Sequence, residues 1–159
     1  MSGTAGHAFH VSGPTGHVAT YATPEYVVSH AVEGDVLILD IPATPVFLPA
    51  LRTATAGLAT RLNYGLDAIE DLRVAVDEAA TLILAAAQES TTTVNCRFDV
   101  TADDLVISIG AERLKPLPDR HSFDWRVLDA LAGSVTAETT GELTTVRLSQ
   151  RLPDIDAAV

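Results

Sequence analysis

The spacing of apolar residues changes several times along the 159-residue chain, and each change marks a new element. "VLILDI", Val36 to Ile41, is a short branched apolar run that reads as a strand. Pro42, Pro45 and Pro49 then lead into a helix running to about Leu62, with Phe47, Leu51, Ala54, Leu58 and Leu62 as its apolar positions. "NYGL" makes a turn, and Asp67 with Glu70 reads as a capping pair opening a second helix. On that helix Ile69, Leu72, Val76, Ala79 and Ile83 fall on one stripe, the expected core face. Glu78 and Leu82 lie together beside it, and Glu89 to Thr91 closes the segment.

The period then drops to two. Val94, Cys96, Phe98 and Val100 alternate with polar residues, and "TADD" turns the chain back into "LVISIG". A proline-containing loop, "AERLKPLPDRH", leads to a third helix at "DWRVLDALAG", which Gly133 can terminate. "SVTAET", a "TG" turn and "ELTTVRLSQRL" read as a last hairpin with Val146 and Leu148 inward. The order strand, helix, helix, hairpin, helix, hairpin predicts an α/β (α+β) two-layer sandwich. Its sheet should be mixed but mainly antiparallel, with helices on one face and a more polar opposite face. Residues 35–152 form this domain. Residues 1–34 are expected to be a mostly disordered extension with a short strand at "EYVVSHAV", Glu25 to Val32, and residues 153–159 a tail.

Charge narrows the partners. Asp+Glu 21 against Lys+Arg 10 gives a formal net charge of −11, which repels a phosphate backbone and argues against direct nucleic-acid binding. A basic protein partner suits it better. No apolar run reaches the roughly 18–20 residues that a membrane-spanning helix needs, and the N-terminus does not resemble a secretory signal, so no membrane association and a cytoplasmic location are expected. Cys96 is the one cysteine, which excludes an internal disulfide and a Cys-based zinc cluster and suits a reduced core residue. His7, His10, His17 and His30 match no ordinary ligand spacing and fit a polar tail better than a metal site. No GxSxG, HExxH, GxxxxGK[ST] or GxGxxG is present, and adjacent His121 and Ser122 do not by themselves make a nucleophile–base pair.

The segment "IEDLRVAVDEAATLI" carries a more specific signal. It resembles the first nucleotide-site helix of the RsbW-like anti-sigma factors, serine-protein kinases of partner switching that share the histidine-kinase-type ATPase fold. A family segment written AVxEAxTNAxxHAY corresponds here to "AVDEAATLILAAAQ". The resemblance continues through "IPATPVFLPALRTATAGLATRLNYGLDAIEDL" and "FDWRVLDALAGSV", roughly Val36 to Leu152. It implies that Glu78 holds the place of the catalytic general base acting on a substrate serine. It also implies that Arg52, in "ALRTATAGL", matches an arginine that contacts both the sigma factor and the competing anti-anti-sigma protein.

Departures from the family pattern fall on one site. Where the family has the magnesium-binding Asn, this chain has Leu82, which offers no oxygen to a hard cation. Where the family's DxGxG aspartate reads adenine, Gly110 or Ala111 stands. The glycine-rich segment before the third helix is replaced by "HSFDWRVLDALAGSV", where Asp124 and Trp125 should crowd the phosphate position. Glu78 is therefore either the vestige of a kinase site or a solvated helix-flank carboxylate. Arg52 is either an interface anchor or an ordinary solvated arginine, and Trp125 suits a core residue better than a contact.

The resemblance implies an anti-sigma factor that sequesters an alternative RNA polymerase sigma factor and is relieved by an anti-anti-sigma protein, with no cofactor. The alternative is an active kinase that uses ATP and magnesium to phosphorylate the anti-anti-sigma protein. A third reading is a homodimeric domain with no sigma partner.

Overall fold

The computed structural model describes residues 10–12, 18–20, 34 and 36–154. Two short strands, β1 (His10–Ser12) and β2 (Val18–Thr20), pair antiparallel with His10 opposite Thr20. They give part of the N-terminal extension a structure that its composition did not suggest. The strand expected over Glu25 to Val32, the histidines His7, His17 and His30, and residues 155–159 lie outside the described residues.

The domain follows in the expected order. β3 (Val36–Pro42) passes through a 3-10 turn at Pro45–Phe47 into α1 (Leu48–Arg61). α2 (Leu66–Ala85), β4 (Thr93–Val100), β5 (Asp104–Glu112), α3 (Phe123–Leu131), β6 (Ser134–Thr140) and β7 (Leu143–Arg151) complete it. The sheet runs β3-β4-β5-β7-β6 with every pairing antiparallel, so the last strand is inserted between its predecessor and β5.

Register turns the alternation of each strand into a continuous apolar floor. Leu37, Phe98, Ile107, Leu148 and Val135 lie opposite one another across all five strands, and all five are buried. Beside them Leu39, Cys96, Ile109 and Val146 form a second row. α2 packs on β5 and β7 above this floor, with α1 and α3 against its flanks. Leu72, Val76, Ala79 and Ile83 are buried as the helical spacing requires, while Ile69 is only partly covered. The opposite sheet face is polar: Asn95 donates to Asp40, Arg97 pairs with Asp99, and Arg147 bridges to Glu138.

Two local expectations are corrected. Asp67 and Glu70 do not form a capping box. α2 starts at Leu66 with Gly65 as its N-cap, no side chain caps it, and Glu70 pairs instead with Arg73. The start is set from outside the helix. Asn63 takes a left-handed φ of 63°, and buried Tyr64 donates its hydroxyl to the Gln150 carbonyl of β7. Gly133 likewise is not a left-handed cap: α3 ends through extended Ala132, and a Cβ on Gly133 would lie 3.1 Å from the Ser149 carbonyl oxygen. Its small size lets the chain turn closely over β7.

Candidate functional site

Glu78 and Arg52, the two residues singled out from sequence, sit on neighbouring helices. Arg52 lies in the second turn of α1, and its Nη1 donates to Asp77 Oδ1 on α2 at 3.1 Å. Asp77 is the residue before Glu78, so the pair links the expected partner contact to the expected catalytic segment. Both side chains are about a third exposed, at 37% and 30%. Glu78 is half-buried, and no described residue bonds or ion-pairs with its carboxylate.

Leu82, one turn further on, is 5% exposed and belongs to the buried apolar cluster. Trp125, 1% exposed, belongs to the same cluster. Its indole Nε1 donates to the Pro118 carbonyl at 3.0 Å, which satisfies the ring's one polar group and fixes the loop against α3. Above the ring lies the Arg120 guanidinium, 4.9 Å from the ring centroid. Arg120 also forks onto both oxygens of Asp129 at 3.0 and 2.8 Å and donates to the Val135 carbonyl. That fork holds the Asp129 carboxyl below its usual range.

The end of β5 is equally closed. A Cβ on Gly110 would meet the Thr144 carbonyl oxygen at 2.8 Å, so no side chain fits there without moving β7. Ala111 shares the inward face with Ile107 and Ile109 and is fully buried. The following loop, residues 113–122, is stapled to the end of α2. The Lys115 amide donates to the Ala86 carbonyl, Gln88 Nε2 to the Arg113 carbonyl, and Thr91 Oγ1 to the carbonyls of Glu112 and Arg113. Arg113 adopts a φ of 59°, the left-handed turn by which the chain leaves β5.

Sequence reasoning placed Glu78, Arg52, Leu82 and Trp125 on the right elements but missed Asp77 as the partner of Arg52, and missed the Arg120–Asp129–Trp125 cluster. Neither carries a local signal, because Arg52 and Asp77 come from different helices and Arg120 reaches α3 from the loop before it.

No protein-family model matches the chain. Against individual proteins, an anti-sigma-F factor RsbW of Mycobacterium tuberculosis (strain CDC 1551) is 31% identical over 127 residues, 76% of this chain and 67% of that protein. The chain belongs to the RsbW family. A serine-protein kinase RsbW of Bacillus subtilis (strain 168) is 34% identical over 97 residues, 60% of this chain, and the match spans 58% of that relative's length. Among solved structures, the RsbU and RsbW domains of a Mycobacterium tuberculosis protein superpose with a TM-score of 0.59 at 15% identity, covering 74% of this chain and 32% of the other. That likeness supports the RsbW fold. Among the described residues no helix is long and apolar enough to cross a membrane.

Proposed function

We propose that this RsbW-family domain is an anti-sigma factor that sequesters an alternative RNA polymerase sigma factor by protein contact. An anti-anti-sigma protein would relieve it by competition, without turnover of ATP. The observation that carries this reading is the shared burial of Leu82 and Trp125 in one apolar cluster, at the positions where the family resemblance puts metal and phosphate recognition. Magnesium demands several oxygen ligands in near-octahedral geometry, and a leucine sealed in the core supplies none. Ala111, which takes the inward position at the end of β5, is fully buried, and neither it nor Gly110 supplies a carboxylate for a base such as adenine. The residues present do not fit magnesium-ATP.

Arg52 is the partner-binding residue of this proposal, and Glu78 is a vestige of a base position. One feature favours the second reading, an active serine-protein kinase: Glu78 keeps a partly exposed carboxylate that no described residue engages. One measurement tests what the two readings share, and a second separates them. Co-purification from cells with a sigma factor, lost on addition of excess anti-anti-sigma protein, is expected for both. Saturable, magnesium-dependent labelling of that protein by radioactive ATP would make the kinase reading correct and the ATP-independent one wrong.

A further inference from the structure

A groove of about 730 Å³ lies between the loop after β5 and strand β6, away from Arg52 and Glu78. Trp125 and Val135 line its buried part, and Lys115, Arg120, Ala137 and Thr139 are among its more open walls. Among the described residues β6 is an edge of the sheet, paired with β7 alone over Ser134–Thr140. Its counterpart β3 has β1 beside it.

Natural edges are commonly blunted by proline, lysine, bulges or inward charges, because unpaired backbone groups template another strand. β6 has none of these devices. It reads "SVTAETT", its register with β7 is unbroken, and its one charge, Glu138, points to the polar face and pairs with Arg147. The Val135 carbonyl, which accepts from Arg120, points away from β7. By the alternation of an antiparallel ladder, the N–H and C=O of Ala137 and Thr139 point the same way. No described residue bonds to those four groups. The same residues face the helix side of the sheet. Ala137 is exposed although its cross-strand neighbour Val146 is fully buried, so the apolar floor stops one strand short of being covered.

Charge selects the occupant. Lys115 is the chain's single lysine, its backbone is pinned by Ala86, and among the described residues its ammonium has no carboxylate partner. Arg120 is already neutralised by Asp129 and closes the groove at Val135. A second copy would bring a β6 whose one charge, Glu138, is already paired with its own Arg147, and would offer Lys115 little.

We propose that this groove binds an extended, acidic segment of a partner protein, added as a strand along β6. Main-chain bonds to Ala137 and Thr139 would hold it, alternate apolar side chains would pack over Ala137 against Leu114 and Leu117 of the groove lining, and a carboxylate would meet Lys115. The site is separate from the sigma-binding proposal and stands or falls independently of it.

The test uses the full chain and two fluorescein-labelled, end-capped octapeptides, one of alternating valine and glutamate and one of alternating valine and lysine. Fluorescence anisotropy should show saturable binding of the glutamate peptide and at least tenfold weaker binding of the other. Lys115→Glu should lower that affinity about fivefold, the scale of one exposed ion pair. Ala137→Pro removes an outward N–H that the β7 ladder does not use, and should abolish binding with an unchanged melting temperature. If that variant fails to fold, Lys115→Glu alone decides. Equal binding of both peptides, binding of neither, or insensitivity to Lys115→Glu would overturn the proposal. So would a dimer in sedimentation that Ala137→Pro dissociates, which would make a second copy the occupant.

Discussion

Arg52 Nη1 stands 3.1 Å from Asp77 Oδ1, so the arginine expected to meet a partner is already held by the residue next to Glu78. A partly exposed pair of this kind contributes at most about 1 kcal/mol to folding. Its interest is competitive, because an incoming carboxylate must displace or share the Asp77 contact.

Arg52→Ala is therefore expected to leave the thermal midpoint nearly unchanged and to weaken binding of the cognate sigma factor about thirtyfold, roughly the 2 kcal/mol of an interface anchor. Asp77→Ala, which loses the same internal pair, should not weaken binding. Calorimetry on both variants separates the roles. Equal losses would show that the pair matters as helix–helix structure and not as a contact.

Millimolar ATP with magnesium should not shift the melting temperature. A ligand at about a hundred times its dissociation constant would add roughly 2.7 kcal/mol, several degrees for a domain of this size. Differential scanning fluorimetry with and without nucleotide reads this directly, and a saturable upward shift would contradict the proposed loss of the site.

Leu82→Asn tests whether restoring one family residue restores the site. Placing an amide where leucine is 5% exposed among apolar neighbours is expected to cost about 1–3 kcal/mol, for want of hydrogen-bond partners. Urea titration should show the midpoint falling. The variant should gain no magnesium-dependent stabilisation, since Gly110, Ala111 and Trp125 remain; a gain would reopen the kinase reading.

Burial pushes the Cys96 thiol up to about 12, with Asp40 adding to the shift. An unfolded thiol titrates near about 8.5, so the unfolded chain loses its proton first as the solution becomes alkaline. The thiol's contribution is complete below that pH and shrinks as pH rises towards 12. By pH 10 roughly 2 kcal/mol is lost, and Cys96→Ala should flatten that part of the stability profile. A thiol reagent should label the native protein only as fast as it opens; rapid labelling would contradict the burial.

What could be read in the chain follows from how local each cause is. Val94, Cys96, Phe98 and Val100 declare their face by period alone, and the five-strand register builds on it. The start of α2 could not be read that way. Asp67 and Glu70 have capping chemistry, but Tyr64 reaches Gln150, 86 residues away, and that bond fixes where the helix begins. The candidate site divides similarly. Leu82 was visible as a chemical misfit within its segment, whereas Asp77 as the partner of Arg52 depends on how α1 lies against α2.

The insertion of β7 between β5 and β6 has a consequence for synthesis on the ribosome. Every earlier element emerges before the strand that joins the two parts of the sheet, and β6 has no paired strand until it arrives. Val146 and Leu148, which complete the buried rows, are among the last residues of the domain to be made. Nascent chains stopped short of Leu143 should therefore expose apolar surface and engage chaperones, and cooperative folding should begin only once β7 has cleared the exit tunnel.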